Sequence, residues 1–183
     1  MVLYINSCVR ENSRTDRIAR ALLSKLGDYT ELDLQKENVQ ALTTETLKKR
    51  SAFVEAGDFS DEMFRYAKQF AEADEIVISA PYWDLSFPAR LKEYFENIYI
   101  VGLTSSYNEM GIPVGLCRAK KLYYVTTAGG PFMPDFGFNY VRDLCTLCFG
   151  VKEAELIAAE NLDIVGNDAE KIVAETINRI KQL

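Results

Sequence analysis

The sequence predicts a doubly wound α/β fold: a three-layer sandwich with a five-stranded parallel sheet between two helical layers. Short β-prone apolar runs alternate with stretches of helical periodicity almost throughout the chain. The runs are continuously apolar, as strands buried on both faces must be. Three of them open into chemically distinctive loops.

Val2-Leu3-Tyr4-Ile5 is the first strand, with polar Asn6-Ser7 behind it. From Thr15 the period changes: Ile18, Ala21, Leu22 and Leu26 recur at helical steps, and Gly27 ends the helix. A second strand falls near residues 29–34. Residues 43–72 read as helical, with Leu47, Phe53 and Val54 apolar in one part and Met63, Phe64, Ala67 and Phe70 in another. Gly57-Asp58-Phe59-Ser60 interrupts them, and Ser60 is expected to cap the second helix, with Asp61 and Glu62 in its first turn. Residues 75–80 form a buried strand that stops at Pro81, and Pro88 fits the first turn of a helix running to about Ile98. A strand over 122–127, a helix over 140–149, a strand over 155–159 and a last helix over 168–181 complete the pattern. No repeat or linker interrupts it, so residues 1–183 are expected to form a single domain.

At 183 residues and 48% apolar content, the chain buries enough surface for a core without staples. It contains no histidine, which excludes a Ser-His-Asp or Cys-His catalytic unit and a His-ligated metal. A net charge of −6, with no long basic run, argues against a partner in duplex nucleic acid; Lys48-Lys49-Arg50 reads as a solvated helix face. No apolar run reaches the roughly 18 residues of a membrane span. The start lacks the basic and apolar regions of a secretory signal, so the expected compartment is cytoplasmic and the four cysteines reduced.

In open parallel sheets, ligands bind beyond the carboxyl ends of the strands, where strand order reverses. Loop 6–15 is rich in hydroxyls and amides and leads into a helix N-terminus. It can form an anion site with Ser7, Ser13 and Thr15 as donors and Arg10 and Arg14 as charges, or Ser13 or Thr15 can merely cap the helix. Loop 80–88 places the only tryptophan, Trp83, beside Tyr82, which suits either a planar ligand ring or a lid over the core. Loop 127–138 carries Gly129-Gly130, which permits close backbone approach or only a turn. Asp135 within it reads as a solvated residue. Together the loops describe a phosphate cradle beside a slot for a flat ring.

Three segments carry a resemblance to a known family. They are Ser7 through Thr15, the run Ala80-Pro81-Tyr82-Trp83-Asp84 with Phe87-Pro88-Ala89-Arg90-Leu91-Lys92, and Thr126-Thr127-Ala128-Gly129-Gly130. In these the chain resembles the flavodoxin-like FMN-dependent NAD(P)H:quinone reductases and NADH-azoreductases. The resemblance implies bound FMN, NADH or NADPH as co-substrate and a flat aromatic electron acceptor such as a quinone, azo or nitro compound. It implies that Ser7, Ser13, Arg14 and Thr15, with Arg10, hold the FMN phosphate. Pro81, Tyr82, Trp83 and Asp84 would bracket the isoalloxazine, with backbone N–H groups near N5 and O4. Thr127, Ala128, Gly129 and Gly130 would meet its pyrimidine side. No side chain is assigned as a general base, because the flavin carries the chemistry.

Azoreductases of this type commonly carry Asn where this chain has Asp84, a departure that bears on the substrate class. The resemblance also implies a homodimer, for which the apolar segment 94–101 is a candidate interface, although an internal helix and strand explain it equally well. The alternative function is a flavodoxin-like electron carrier without NAD(P)H oxidation; a domain without cofactor is a further one. Cys145-x-x-Cys148 reads as buried thiols in a helix, and Glu153, Glu155 and Glu160 as surface charge.

Overall fold

In chain order, the elements are β1 (Val2–Asn6), α1 (Arg14–Leu26), β2 (Tyr29–Asp33), α2 (Thr44–Ala56), α3 (Arg65–Glu72), β3 (Glu75–Ser79) and α4 (Ala89–Ile98), then a hairpin of β4 (Ser105–Tyr107) and β5 (Pro113–Gly115), and finally β6 (Lys121–Thr127), α5 (Phe138–Asp143), β7 (Glu153–Ala159) and α6 (Ala169–Gln182). They come from a computed structural model that describes residues 1–182. Five strands form one parallel sheet in the order β2-β1-β3-β6-β7. The chain therefore winds outward from β1 to β2, then crosses back to β3 on the other side. That reversal places the switch point between β1 and β3, and their carboxyl ends are in register at Asn6 and Ser79.

Each central strand feeds two cores because its side chains alternate between faces. Leu3, Ile5, Ile76, Ile78, Leu122 and Tyr124 enter one core with Phe70, Tyr94, Phe95 and Val141 from α3, α4 and α5. Val2, Tyr4, Val77 and Val125 enter the other with Ile18, Leu22, Val173 and Ile180 from α1 and α6. Phe64, Phe70 and Phe149 are fully buried, and each such side chain contributes about 1.5–3 kcal/mol. At the sheet edge, Tyr29, Thr30 and Glu31 of β2 stay exposed.

Several local expectations are corrected. Asp61, not Ser60, caps the turn after the 57–60 break: its carboxylate accepts the Met63 N–H, and a short 3-10 turn (Glu62–Phe64) precedes α3. Pro88 occupies the position just before α4 instead of its first turn. On α2, Leu47 is exposed, and Phe53 and Val54 only lean on the core. The 140–149 helix begins earlier, because the Asp135 carboxylate accepts the N–H groups of Gly137 and Phe138, both at 2.9 Å. Asp135 is thus a helix-initiating residue as well as a loop residue. Beyond Asp143 the coil widens into a π turn over Leu144–Cys148, which buries Cys145 and leaves Cys148 half-buried. All four thiols are free, and burial raises Cys8, Cys145 and Cys117, the last to about 12. The β7 strand starts at Glu153, and Glu155 is paired with Lys121 at 2.7 Å.

The hairpin was not expected. It packs by backbone contact: a Cβ on Gly115 would lie 2.0 Å from the Gly150 nitrogen and 2.1 Å from the Phe149 carbonyl carbon. Replacing Gly115 with Ala must push two backbones apart and is expected to cost about 1–3 kcal/mol, as overpacking of a tight contact does. Urea denaturation checks this; an unchanged midpoint would show that the hairpin does not depend on the contact.

Candidate functional site

The switch point is floored by a polar network that the sequence supplies at the end of β1. The Asn6 Oδ1 accepts the Cys8 N–H at 3.0 Å and the Ser79 hydroxyl at 3.2 Å, while its Nδ2 donates to Asp16 at 3.2 Å and Glu31 at 3.3 Å. Asp16 accepts the Tyr4 hydroxyl at 2.5 Å and Arg20 Nε at 2.8 Å. Burial, then the neighbouring Asp16 carboxylate, drives the Tyr4 phenol far above its ordinary range, so it stays a donor. These contacts fix where the loop leaves the strand and where α1 begins.

Between those fixed ends the chain turns through Asn12, which has φ of 55°, to Ser13, the N-cap of α1, whose hydroxyl accepts from Asp16 N–H at 3.4 Å. Among the described residues, the backbone N–H groups of 10–15 donate to no carbonyl or side chain. Unpaired N–H groups at a helix start, reinforced by the helix dipole, form a concave anion site. The residues that carry them line a cavity of about 460 Å³, which Val9, Arg10, Glu11, Asn12, Ser13, Arg14 and Thr15 border on this side. That volume lies within the range of small-molecule sites.

Pro81, Tyr82 and Trp83 form the second wall, and Thr127, Ala128 and Gly129 the third. The Thr15 and Thr127 hydroxyls meet at 2.7 Å across the floor, joining the first loop to the third. Tyr82 N–H donates to Thr127 O at 3.0 Å, and Trp83 and Ser86 exchange backbone bonds at 3.1 and 2.7 Å around a turn with left-handed Asp84 and Leu85, at φ of 50° and 65°. The aromatic edge is braced from behind. Tyr82 packs edge-on to Phe132 with centroids 4.9 Å apart, and its hydroxyl donates to Pro134 O at 2.8 Å. Glu160 accepts the Phe132 N–H at 2.7 Å, so it is a loop anchor rather than free surface charge.

The cavity therefore gathers Arg10, Ser13, Arg14, Thr15, Pro81, Tyr82, Trp83, Thr127, Ala128 and Gly129 from the sequence expectation. It does not gather Ser7, which is fully buried and whose hydroxyl donates to Ser79 O at 2.8 Å. The pitch of β1 turns this side chain toward β3 instead of the loop. Asp84 and Gly130 also fall outside the lining: Asp84 sits at the tip of the turn, and the Gly130 carbonyl accepts Asn161 N–H at 3.2 Å. The N–H groups of Tyr82, Trp83 and Ala128 are already bonded, which leaves the Gly129 N–H, with no acceptor among the described residues, as a lining donor able to meet a ring edge.

Leu162 and Asp163, from the loop after β7, complete the lining and were missed. The rule that directs attention to carboxyl-edge loops covers this loop too, and it was the one available signal.

A doubly wound sheet with an anion cradle and an aromatic edge in one cavity at its switch point defines an α/β domain built to hold a flat, phosphate-bearing ligand. The chain belongs to the family described as Flavodoxin-like fold, whose sequence model matches residues 1–183. It is 38% identical to FMN-dependent NADH:quinone oxidoreductase 2 of Clostridium acetobutylicum, over 99% of this chain and 96% of that protein. It is 36% identical to the FMN-dependent NADH:quinone oxidoreductase of Coprothermobacter proteolyticus, over 100% of this chain and 96% of that one. An azoreductase structure from Bacillus anthracis str. Sterne superposes with a TM-score of 0.84 at 24% identity, covering 99% of this chain and 96% of that chain. An FMN-dependent NADH-azoreductase from Bacillus anthracis str. Ames Ancestor, in complex with FMN, gives 0.81 at 19% identity, with 99% and 95% covered. At those identities the two structures establish the shared fold.

Ser7→Ala separates floor from wall. It removes a buried hydroxyl bond worth about 0.5–1.5 kcal/mol but leaves the Ser7 N–H to Ser79 O bond of 3.0 Å in place. Stability is expected to fall by that amount with ligand affinity unchanged, checked by urea denaturation and flavin titration in parallel.

Proposed function

We propose that the chain is an FMN-dependent NAD(P)H oxidoreductase acting on flat acceptors of the quinone, azo or nitro class. The observation that carries the reading is the set of unpaired N–H groups at 10–15 opening into the same cavity as Tyr82, Trp83 and Gly129. A terminal phosphate needs the first and a conjugated ring needs the second, and FMN has both ends. The names of the full-length relatives at 36–38% identity support a reductase over an electron carrier.

In this reading Ser13, Thr15 and the backbone of 10–15 hold the phosphate ester, with Arg10 and Arg14 supplying charge. Pro81, Tyr82 and Trp83 set the plane of the ring, and the Gly129 N–H is a donor for its polar edge. Thr127 and Ala128 shape the floor beneath it. When bound, FMN supplies the redox chemistry, taking hydride from the nicotinamide and delivering electrons to the acceptor. The protein's part is to orient, to donate hydrogen bonds and to exclude water; with no histidine in the chain, no imidazole takes part.

The reading extends to a single-domain homodimer in the reducing cytoplasm. Four free thiols support that compartment, and no helix of the described residues is long and apolar enough to cross a membrane. Of the segment 94–101, Tyr94, Phe95, Ile98 and Ile100 are buried in the chain's own core, while Val101 is exposed. Val101 and exposed Met110, Ile112 and Leu147, on the hairpin and the π turn, are the candidate apolar surface for the dimer.

The decisive experiment records absorbance between about 350 and 500 nm for protein loaded with FMN, then adds NADH or NADPH without oxygen. Rapid bleaching is expected; a flavin band that persists would favour the carrier. Ser13→Asp tests the phosphate assignment. Aspartate is as good an N-cap as serine, so the fold should hold by circular dichroism while FMN retention is lost. Retention at the wild-type level would remove Ser13 from the site.

A further inference from the structure

We propose that Asp163 limits the affinity of the phosphate end of the cavity by competing with the ligand for Arg14, an inference that rests on the flavin-binding reading above. Asp163 is placed by backbone pairing, not by chance on a loop. Asn161, Leu162 and Asp163 donate their N–H groups to the carbonyls of Gly130, Ala128 and Gly129 at 3.2, 3.1 and 2.9 Å, so the loop after β7 is zipped along the third wall. The Asp163 carboxylate then lies over Gly129, in the space where a side chain at that position would project. From there its Oδ1 accepts Arg14 Nη1 at 3.1 Å.

Asp163 is the near partner of Arg14. Glu170 stands 3.9 Å from the Arg14 Nε and is engaged by both terminal nitrogens of Arg17, at 3.1 and 2.8 Å. Around the cavity, the formal charges of Arg10 and Arg14 are balanced by Glu11 and Asp163. A phosphate dianion entering the cradle must take Arg14 from Asp163 and sit beside the carboxylate it displaces. Exposed ion pairs are weak, and a doubly charged phosphate is the stronger acceptor, so the ligand wins. The competition nevertheless subtracts from binding. Arg14 is thereby held over the cavity mouth before the ligand arrives, and the ligand is held less tightly than the donors alone would hold it.

Asp163→Asn removes the charge and keeps the shape and the backbone bonds. The dissociation constant for FMN, measured by flavin fluorescence quenching after any bound flavin is removed, is expected to fall about three- to fivefold, the range an exposed pair can account for. Riboflavin, which has the ring and no phosphate, should bind the variant and the wild type alike. In an Arg14→Gln background, Asp163→Asn should bring no gain. An unchanged FMN constant, an equal gain for riboflavin, or a gain that survives the loss of Arg14 would overturn the proposal. Inorganic phosphate, titrated in a thermal-unfolding assay, should raise the midpoint more for Asp163→Asn than for wild type, and an equal rise would also overturn it. That arm needs no flavin: if wild type binds neither FMN nor riboflavin, the flavin reading falls while phosphate still decides the role of Asp163.

Discussion

Everything at the carboxyl edge depends on how the Asn6 amide is used. Its oxygen holds the loop backbone at Cys8 and the end of β3 at Ser79; its nitrogen reaches Asp16 in the first turn of α1 and Glu31 on β2. One short side chain thus ties two central strands, an edge strand and a helix start. A fully connected polar group at this depth is rigid, and its loss would strand the buried Cys8 N–H and cut the link between β3, β2 and α1. The open N–H groups above it are useful for the same reason: the chain on both sides is immobilised, so they need not fold inward to satisfy one another.

The arrangement also shows how an acidic protein can hold an anion. The chain carries a net −6, and its cavity lining contributes as many acidic as basic side chains. Attraction then comes from oriented dipoles, which act within the first helical turn and add no net charge, together with the local charges of Arg10 and Arg14. Tyr4 belongs to the same economy of charge. Its phenol sits against Asp16 without ionising, and Arg20 closes the network by pairing with both Asp16 and Glu31 at 2.8 Å. The carboxylate under the cradle is therefore offset only in part, because Arg20 is shared with Glu31.

Much of this was legible in the residues themselves. Strands such as Val2–Asn6 and Glu75–Ser79 are buried on both faces and advertise themselves as unbroken apolar runs, so the sheet followed directly from them. Loops 6–15 and 80–88 were legible because a strand-to-helix turn full of hydroxyls, and a lone tryptophan after a buried strand, are chemically unusual. What escaped was tertiary. Ser7 looked like Ser13 in sequence, yet the direction of its side chain is set by pairing with Ser79 on a strand more than seventy residues away. Asp163 has no local signature; it joins the site only because the chain after β7 runs beside Gly129. The hairpin after α4 was missed because its strands are three residues each and half-exposed, too short for any periodicity to register.

The exposed edge formed by Tyr29, Thr30 and Glu31 carries a consequence for the molecule among its own kind. An open strand edge is a template on which another chain can add, and sheets that lack a guard are prone to grow into aggregates. Here the strand is only five residues long, and the Arg20 guanidinium sits on Glu31 and reaches the Tyr29 hydroxyl at 3.3 Å. The arginine that partly offsets the charge beneath the site thus also sets a charge on the face of this border strand, and the strand's short length and charged neighbours are what discourage a second chain from adding there.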